Sequence, residues 1–233
     1  MIASVHIADF SVGSALATLR KRPDPAAIPG LRHADLALAA PLSKTTLPPL
    51  RIGRVGLVAF WDDDRAIDAF VADHPLGARL ATGWEIRLEP LRMYGSWPGV
   101  PSDIPPSRRT DYEGPAAVIT LGRLKLPQAP RFLRTSAKAE GAALQADGLI
   151  WATGLARPPF FSTCSLWEST KALSVFAYGH REPAHSNAID TDRTKPFHHQ
   201  SAFIRFRPVF SRGSLSGRNP LPGIAVPEQP EVA

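Results

Sequence analysis

With one cysteine, Cys164, among its 233 residues, the chain has no internal disulfide and no zinc or iron–sulfur site built on several thiolates. It begins Met1-Ile2-Ala3-Ser4-Val5-His6, without the basic residues and apolar run of a secretory leader, and no stretch reaches the roughly 18 uncharged apolar residues of a spanning helix. These absences predict a cytosolic chain. Also missing are a phosphate-binding glycine loop, a dinucleotide fingerprint, His-Glu-x-x-His and Gly-x-Ser-x-Gly, which removes the commonest hydrolase and nucleotide-enzyme readings. The net charge is +6, but it is scattered: Arg20-Lys21-Arg22 and Arg108-Arg109 are short clusters with no interleaved aromatics. Nucleic acid is therefore not expected as a partner. The basic surface is compatible with peripheral contact on an anionic membrane, although no amphipathic anchor is visible.

What is present is ordinary in bulk, 44% apolar and 21% charged residues, enough to bury a core. The order of the residues is less ordinary. Trp61-Asp62-Asp63-Asp64-Arg65-Ala66-Ile67-Asp68-Ala69-Phe70 aligns with Trp167-Glu168-Ser169-Thr170-Lys171-Ala172-Leu173-Ser174-Val175-Phe176, and a histidine follows four residues after each Phe, at His74 and His180. Pro90 and Pro208 each precede a glycine-serine pair by five residues, at Gly95-Ser96 and Gly213-Ser214, and second glycines follow at Gly99 and Gly217. The chain is an internal duplication. Twenty-nine positions separate Trp61 from Pro90 and 41 separate Trp167 from Pro208, so the second copy carries 12 additional residues in a stretch that contains His185, His198 and His199.

Periodicity places the elements. In the first copy, Ser4 to Ala8 reads as a strand, Val12 to Arg22 as a helix stopped by Pro23 and Pro25, and Asp35 to Ala40 as a second strand. Val55 to Trp61 is a continuous apolar run of strand length, followed by a helix that Asp62 or Asp63 caps and whose stripe is Ile67, Phe70, Val71 and His74. Trp84, Ile86 and Leu88 alternate with Glu85, Arg87 and Glu89, as a strand with one buried face does. The second copy repeats this order: strand Ala116 to Leu121, helix Arg131 to Leu144, strands Leu149 to Thr153 and Phe160 to Trp167, a helix from Glu168, and strand Ala202 to Phe206. Each half is thus a split β-α-β unit with both helices on one sheet face. The bare faces need cover, and each copy supplies it to the other. The expected fold is α+β: two fused ferredoxin-like repeats forming a pseudo-dimeric α+β barrel. The expected boundaries are residues 1–97 for the first repeat, 98–115 for a proline-rich linker, 116–217 for the second repeat with its insertion, and 218–233 for an irregular tail.

Several short segments together carry a family resemblance. Trp61 through Phe70, the turn Gly95-Ser96-Trp97-Pro98-Gly99, Arg123, Arg131-Phe132, Thr163-Cys164-Ser165-Leu166-Trp167, Phe176, His185-Ser186-Asn187-Ala188-Ile189 and Ile204-Arg205-Phe206 resemble the spheroidene monooxygenase family of bacterial carotenoid ketolases, over roughly residues 50 to 217. The resemblance implies a haem-dependent monooxygenase that inserts oxygen at an activated C–H position of a long apolar polyene, using dioxygen and electrons from a ferredoxin-type donor.

Haem chemistry of this kind needs an imidazole on iron, an open position opposite, basic groups for two propionates and an apolar pocket. His185 is the axial-ligand candidate, because it lies in the insertion after a helix and matches the family's His-x-x-Ala-Ile segment. His180 is second, weighed against its counterpart His74, which suggests a packed or helix-terminal role for both. His198 and His199 point to opposite faces of an extended segment and cannot share one ion without a bend. Arg205, Arg131 and Arg123 are candidates for propionates, since a guanidinium forks onto carboxylates. Arg205 lies on the polar side of its strand, the side expected to line the barrel interior, while Arg87 at the equivalent position of the first copy leaves a structural role open for both. Cys164 reads as a buried thiol within a strand, Trp61 and Trp167 as strand-end packing, and Trp97 and Trp151, which break the repeat, as the better pocket candidates. Two alternatives stand beside this reading: a non-catalytic haem or small-ligand carrier on the same fold, and a non-haem iron oxygenase using His33-Ala34-Asp35.

Overall fold

The computed structural model describes residues 1–46, 51–106, 111–178 and 196–224. Its strands are β1 (Ile2–Asp9), β2 (Leu31–Pro41), β3 (Arg54–Trp61), β4 (Trp84–Gly95), β5 (Ala116–Leu124), β6 (Leu149–Arg157), β7 (Phe160–Trp167) and β8 (His198–Gly213). The helices are α1 (Val12–Arg20), α2 (Asp64–Asp73), α3 (Pro75–Leu80), α4 (Ala129–Ala143) and α5 (Thr170–Tyr178).

Local chemistry explains the helix boundaries. The Ser11 hydroxyl accepts from the Ser14 N–H at the start of α1, and Asp63 accepts from the Ala66 N–H at 3.0 Å at the start of α2. His74 ends α2, and its Nδ1 accepts from the Leu76 N–H, which caps α3 with Pro75 in the first turn. Helix α2 buries Ile67 and Phe70, the stripe expected from the 3.6-residue period.

The eight strands close into one barrel in the order β1-β3-β2-β6-β7-β5-β8-β4. Read from one seam, the first copy contributes β4-β1-β3-β2 and the second contributes β6-β7-β5-β8. The seams are β2 against β6 and β4 against β8, both antiparallel. This is the fused pseudo-dimeric α+β barrel that the duplication predicts. The main difference from expectation is strand length at one seam. Strands β4 and β8 run well past Leu88 and Phe206, because each finds its long partner only across the copies, and register shifts at Arg87/Leu88 and Pro90/Arg92 accommodate Pro90.

Alternate side chains fill the barrel interior: Val5 and Ile7, Val58 and Phe60, Ile86 and Leu88 from the first copy, and Ile119 and Leu121, Cys164 and Leu166, Ile204 and Phe206 from the second. Trp97 is buried in this interior, where its Nε1 donates to Asp35 Oδ2 at 3.0 Å, and Trp151 packs edge-on against Trp84 at 4.9 Å. Both tryptophans that seemed suited to a pocket are barrel packing instead. The other strand faces look outward to the helices, α1 to α3 on the first copy, α4 and α5 on the second. Among the described residues no helix is long and apolar enough to cross a membrane.

Candidate active site between the second sheet and its helices

The strand registers give an exact residue-by-residue correspondence of the two outward faces. Ser4, Ala59 and Arg87 sit side by side on β1, β3 and β4, as do Val118, Ser165 and Arg205 on β5, β7 and β8. Two residues further along, His6 and Leu57 correspond to Thr120 and Thr163, and Leu36 on β2 corresponds to Gly154 on β6. On the first sheet this strip is sealed: His6, Leu57 and Leu36 are buried under the helices with Ala59, Trp61, Ile67 and Phe70. On the second sheet Thr120, Thr163, Gly154, Ala152 and Ser165 are all half-exposed. Smaller side chains have replaced the packing, and a side chain added at Gly154 would meet nothing closer than 3.7 Å.

The helices above complete the contrast. Helix α4 buries only Ala137, Ala142 and Ala143, and α5 buries Thr170, Leu173 and Phe176. Ala142, Ala143, Leu173 and Phe176 pack with Ala116 and Trp167 at one end of the sheet, and Leu42 packs against the same cluster and lies 3.9 Å from a Cβ placed at Gly154. At the opposite end Phe132 of α4 meets Phe161 of β7 edge-on at 5.3 Å, Phe197 at 5.9 Å and His198 at 5.3 Å. The His198 imidazole lies directly over Gly122, where a Cβ would come within 2.5 Å of it, so the ring occupies space that only glycine leaves open. At the other end Phe176 stacks on Trp167 at 4.9 Å, and Arg205 lies beneath α5. Gly122 and Val118 stand four residues apart on β5, so the strip runs about 13 Å between its aromatic and basic ends.

Arg205 is buried and faces α5, not the barrel interior expected for it; the parity of β8 turns Ile204 and Phe206 inward instead. Its Nη2 donates to Ser174 Oγ at 3.4 Å, and burial, with the field of Arg92 added, lowers its pKa. Arg92 is its cross-strand neighbour on β4 and donates to the Tyr178 hydroxyl at 3.1 Å. Arg131, near the start of α4, lies 4.3 Å over the Phe197 ring at the aromatic end and donates to Gln128 Oε1. The structure thus brings Arg205 and Arg131 to opposite ends of one strip. Arg123 is elsewhere, stacked 4.9 Å over Trp97 at the barrel mouth. His180 and His185 lie outside the described residues, and α5 at the basic end leads into their segment.

The remaining candidates resolve differently. His33 and Asp35 are bonded to each other at 2.9 Å, and Trp97 occupies the same carboxylate oxygen, so this pair holds the barrel mouth together. No group of three metal-ligating side chains occurs among the described residues. Burial pushes the Cys164 thiol up to about 12, which disfavours a thiolate. Sequence reasoning did not single out Thr120 or Gly154, quoted Thr163 and Phe132 only within the resemblance and Ser174 only within the repeat, and treated His198 only as half of a pair. The usable signal was the repeat itself, since the aligned segments already set Asp68 against Ser174.

No family model matches the chain. In sequence it is 30% identical over 171 residues to the spheroidene monooxygenase of Rubrivivax gelatinosus, covering 71% of this chain and 64% of that one. It is 25% identical over 172 residues to the spheroidene monooxygenase of Rhodobacter capsulatus, covering 71% of this chain and 70% of the relative. The chain therefore spans about two thirds of the length of these curated relatives. In structure it is similar to an aldoxime dehydratase crystallised with butyraldoxime, with a TM-score of 0.50 and 8% identity, covering 89% of this chain and 79% of that one, which speaks to the fold alone. The resemblance carried by the short motifs extends to the whole aligned sequence, and the chain is similar to the spheroidene monooxygenase family.

Proposed function

We propose that the chain is a haem-dependent monooxygenase whose cofactor lies between the second sheet and helices α4 and α5, and which oxygenates an apolar, carotenoid-like substrate. The observation that carries this reading is the emptied outward face of the second copy, where Leu57, Leu36 and His6 give way to Thr163, Gly154 and Thr120. A flat macrocycle needs a slot floored by small side chains, walled by aromatics and flanked by cations, and the described residues fit that requirement. The two similar curated proteins, both spheroidene monooxygenases, support the reaction class and the lipophilic substrate.

The roles of the chain's own residues follow from position. Gly154, Ala152 and Thr163 form the floor, and Phe132, Phe161 and Phe197 form an apolar wall that keeps water from one end. Thr120 and Thr163, paired across β5 and β7, place two hydroxyls, each able to donate a hydrogen bond, on the same outward face. Arg205 and Arg131 flank it as cations. His185 is the residue that would hold the iron through its imidazole, with His180 as the second candidate. Bound haem supplies iron for dioxygen activation, with electrons from a ferredoxin-type donor.

The test is spectroscopic. The purified chain is titrated with haem, then reduced with dithionite and exposed to carbon monoxide. A perturbed Soret band that shifts with carbon monoxide is expected, and no change under any condition sinks the proposal. A Soret band without oxygen-dependent turnover of polyenes favours the carrier function. His185→Ala and His180→Ala are compared for haem retention, and equal retention in both defeats each assignment.

A further inference from the structure

Arg87 and Arg205 are the same residue in the two copies, and their surroundings differ in charge: Arg87 has carboxylates and the Phe210 ring beside it, whereas Arg205 has Arg92. Arg87 donates to Asp64 Oδ1 through Nη1 at 3.0 Å, to Asp68 Oδ1 through Nη2, and to Glu85 Oε1 through Nε at 2.7 Å. The repeat replaces Asp64 with Thr170, Asp68 with Ser174 and Glu85 with Phe203. All three carboxylates are gone, yet the arginine remains, as buried as its counterpart: 6% exposed for Arg205, 5% for Arg87. The Nη2 group that reaches Asp68 in the first copy reaches Ser174 Oγ at 3.4 Å in the second, so both guanidiniums face the same position of the overlying helix. The Thr170 hydroxyl has turned away to donate to the Tyr112 carbonyl, and Ser174 donates to the Thr170 carbonyl. Arg92 brings a second guanidinium alongside, and among the described residues neither it nor Arg205 has a carboxylate within ion-pair distance.

A buried cation beside a second cation is costly unless an anion arrives to neutralise it. A buried guanidinium beside a second cation, without an internal carboxylate among the described residues, is the arrangement that a ligand carboxylate would complete.

We infer that Arg205, with Arg92 beside it, anchors a carboxylate of the bound cofactor next to Ser174, the position from which Asp68 pairs with Arg87 in the first copy. The inference rests on the haem reading, under which the carboxylate is a propionate. It predicts that the first copy's chemistry can be restored at the expense of binding. Ser174→Asp returns an internal partner to Arg205, as Asp68 serves Arg87, so the variant competes with the ligand without disturbing the slot.

The experiment compares wild type, Ser174→Asp and Arg205→Met by two readouts: the thermal midpoint of the cofactor-free protein, and titration with haem and with haem dimethyl ester, whose carboxylates are blocked. Wild type is expected to bind haem at least tenfold more tightly than the ester. Ser174→Asp raises the cofactor-free midpoint and weakens haem binding at least tenfold while leaving ester binding unchanged; Arg205→Met loses the same preference for haem over its ester. If wild type takes up haem but both variants bind it equally well, or if wild type binds haem and ester alike, the anchor is wrong and the haem reading survives. If wild type takes up neither porphyrin, both fall.

Discussion

Leu57 and Thr163 occupy the same place on the third strand of each copy, one sealed beneath helices and the other half-exposed between them. A threonine at a position whose twin is a fully buried leucine gives up roughly 2 kcal/mol of apolar burial. That loss, repeated at Gly154 opposite Leu36, is tolerated only in the copy that carries the proposed site.

Refilling the strip is therefore expected to stabilise the cofactor-free chain and destroy the site. Gly154→Leu places a side chain where the nearest atoms to a new Cβ are the Ala40 carbonyl oxygen at 3.7 Å and Leu42 Cδ2 at 3.9 Å. The cofactor-free midpoint should hold or rise, and haem uptake should fall by tenfold or more. A variant that still binds haem as wild type does would place the cofactor elsewhere.

Arg87 should behave oppositely to Arg205. Removing it leaves Glu85, buried between β1 and β8, with Arg212 as its remaining ion-pair partner besides the neutral His6. Arg87→Met is expected to cost about 3–5 kcal/mol in chemical denaturation, the usual result of uncovering a buried charge. Adding Glu85→Gln should recover part of the loss, and a cost under about 1 kcal/mol would show that the network is not structural.

His6 makes folding stability acid-sensitive. Full burial lowers its pKa from 6.5 to about 4; Glu85 opposes the shift, and Arg87 and Arg212 reinforce it. Its Nε2 meets the Ser4 hydroxyl, Phe70 lies edge-on, and its Nδ1 has no hydrogen-bond partner. The folded state keeps the ring neutral while the unfolded chain protonates it. Its contribution is thus complete above pH 6.5 and is lost as pH falls toward 4, a change of about 3 kcal/mol at most. His6→Gln should flatten stability across that window, and an unchanged slope would assign the acid sensitivity to other groups.

Ser162 faces the barrel interior, and its buried hydroxyl has no partner. Ser162→Ala removes an unpaired polar atom at little cost in volume, so the thermal midpoint should be unchanged or higher. A loss above about 1 kcal/mol would mean that the hydroxyl is bonded within the barrel.

Much of this molecule was legible in the residues. The Trp61 and Trp167 segments exposed the duplication, alternation at Trp84 to Glu89 gave a strand face, and two sheets with one bare face each called for closure. The full extents of β4 and β8 were hidden, because a strand continues as far as its partner does and that partner lies in the other copy. The orientation of Arg205 was misread for a related reason: alternation says that Arg205 and Ile204 oppose each other, but not which of them looks into the barrel.

By itself the sequence determined that there are two similar units, that each makes strands and helices in the same order, and that the second differs from the first in charge and in size at aligned positions such as Asp68 and Ser174. Those properties are local, set by period, caps and composition. Only the tertiary structure decided that Thr163, Gly154, Thr120 and Arg205 share one surface, since they come from four strands whose adjacency depends on long-range hydrogen bonding. It also decided that the carboxylates absent from the second copy all surround a single guanidinium in the first, because ion pairing is a matter of distance in space, and Asp64, Asp68 and Glu85 meet at Arg87 only when helix and sheet are packed together.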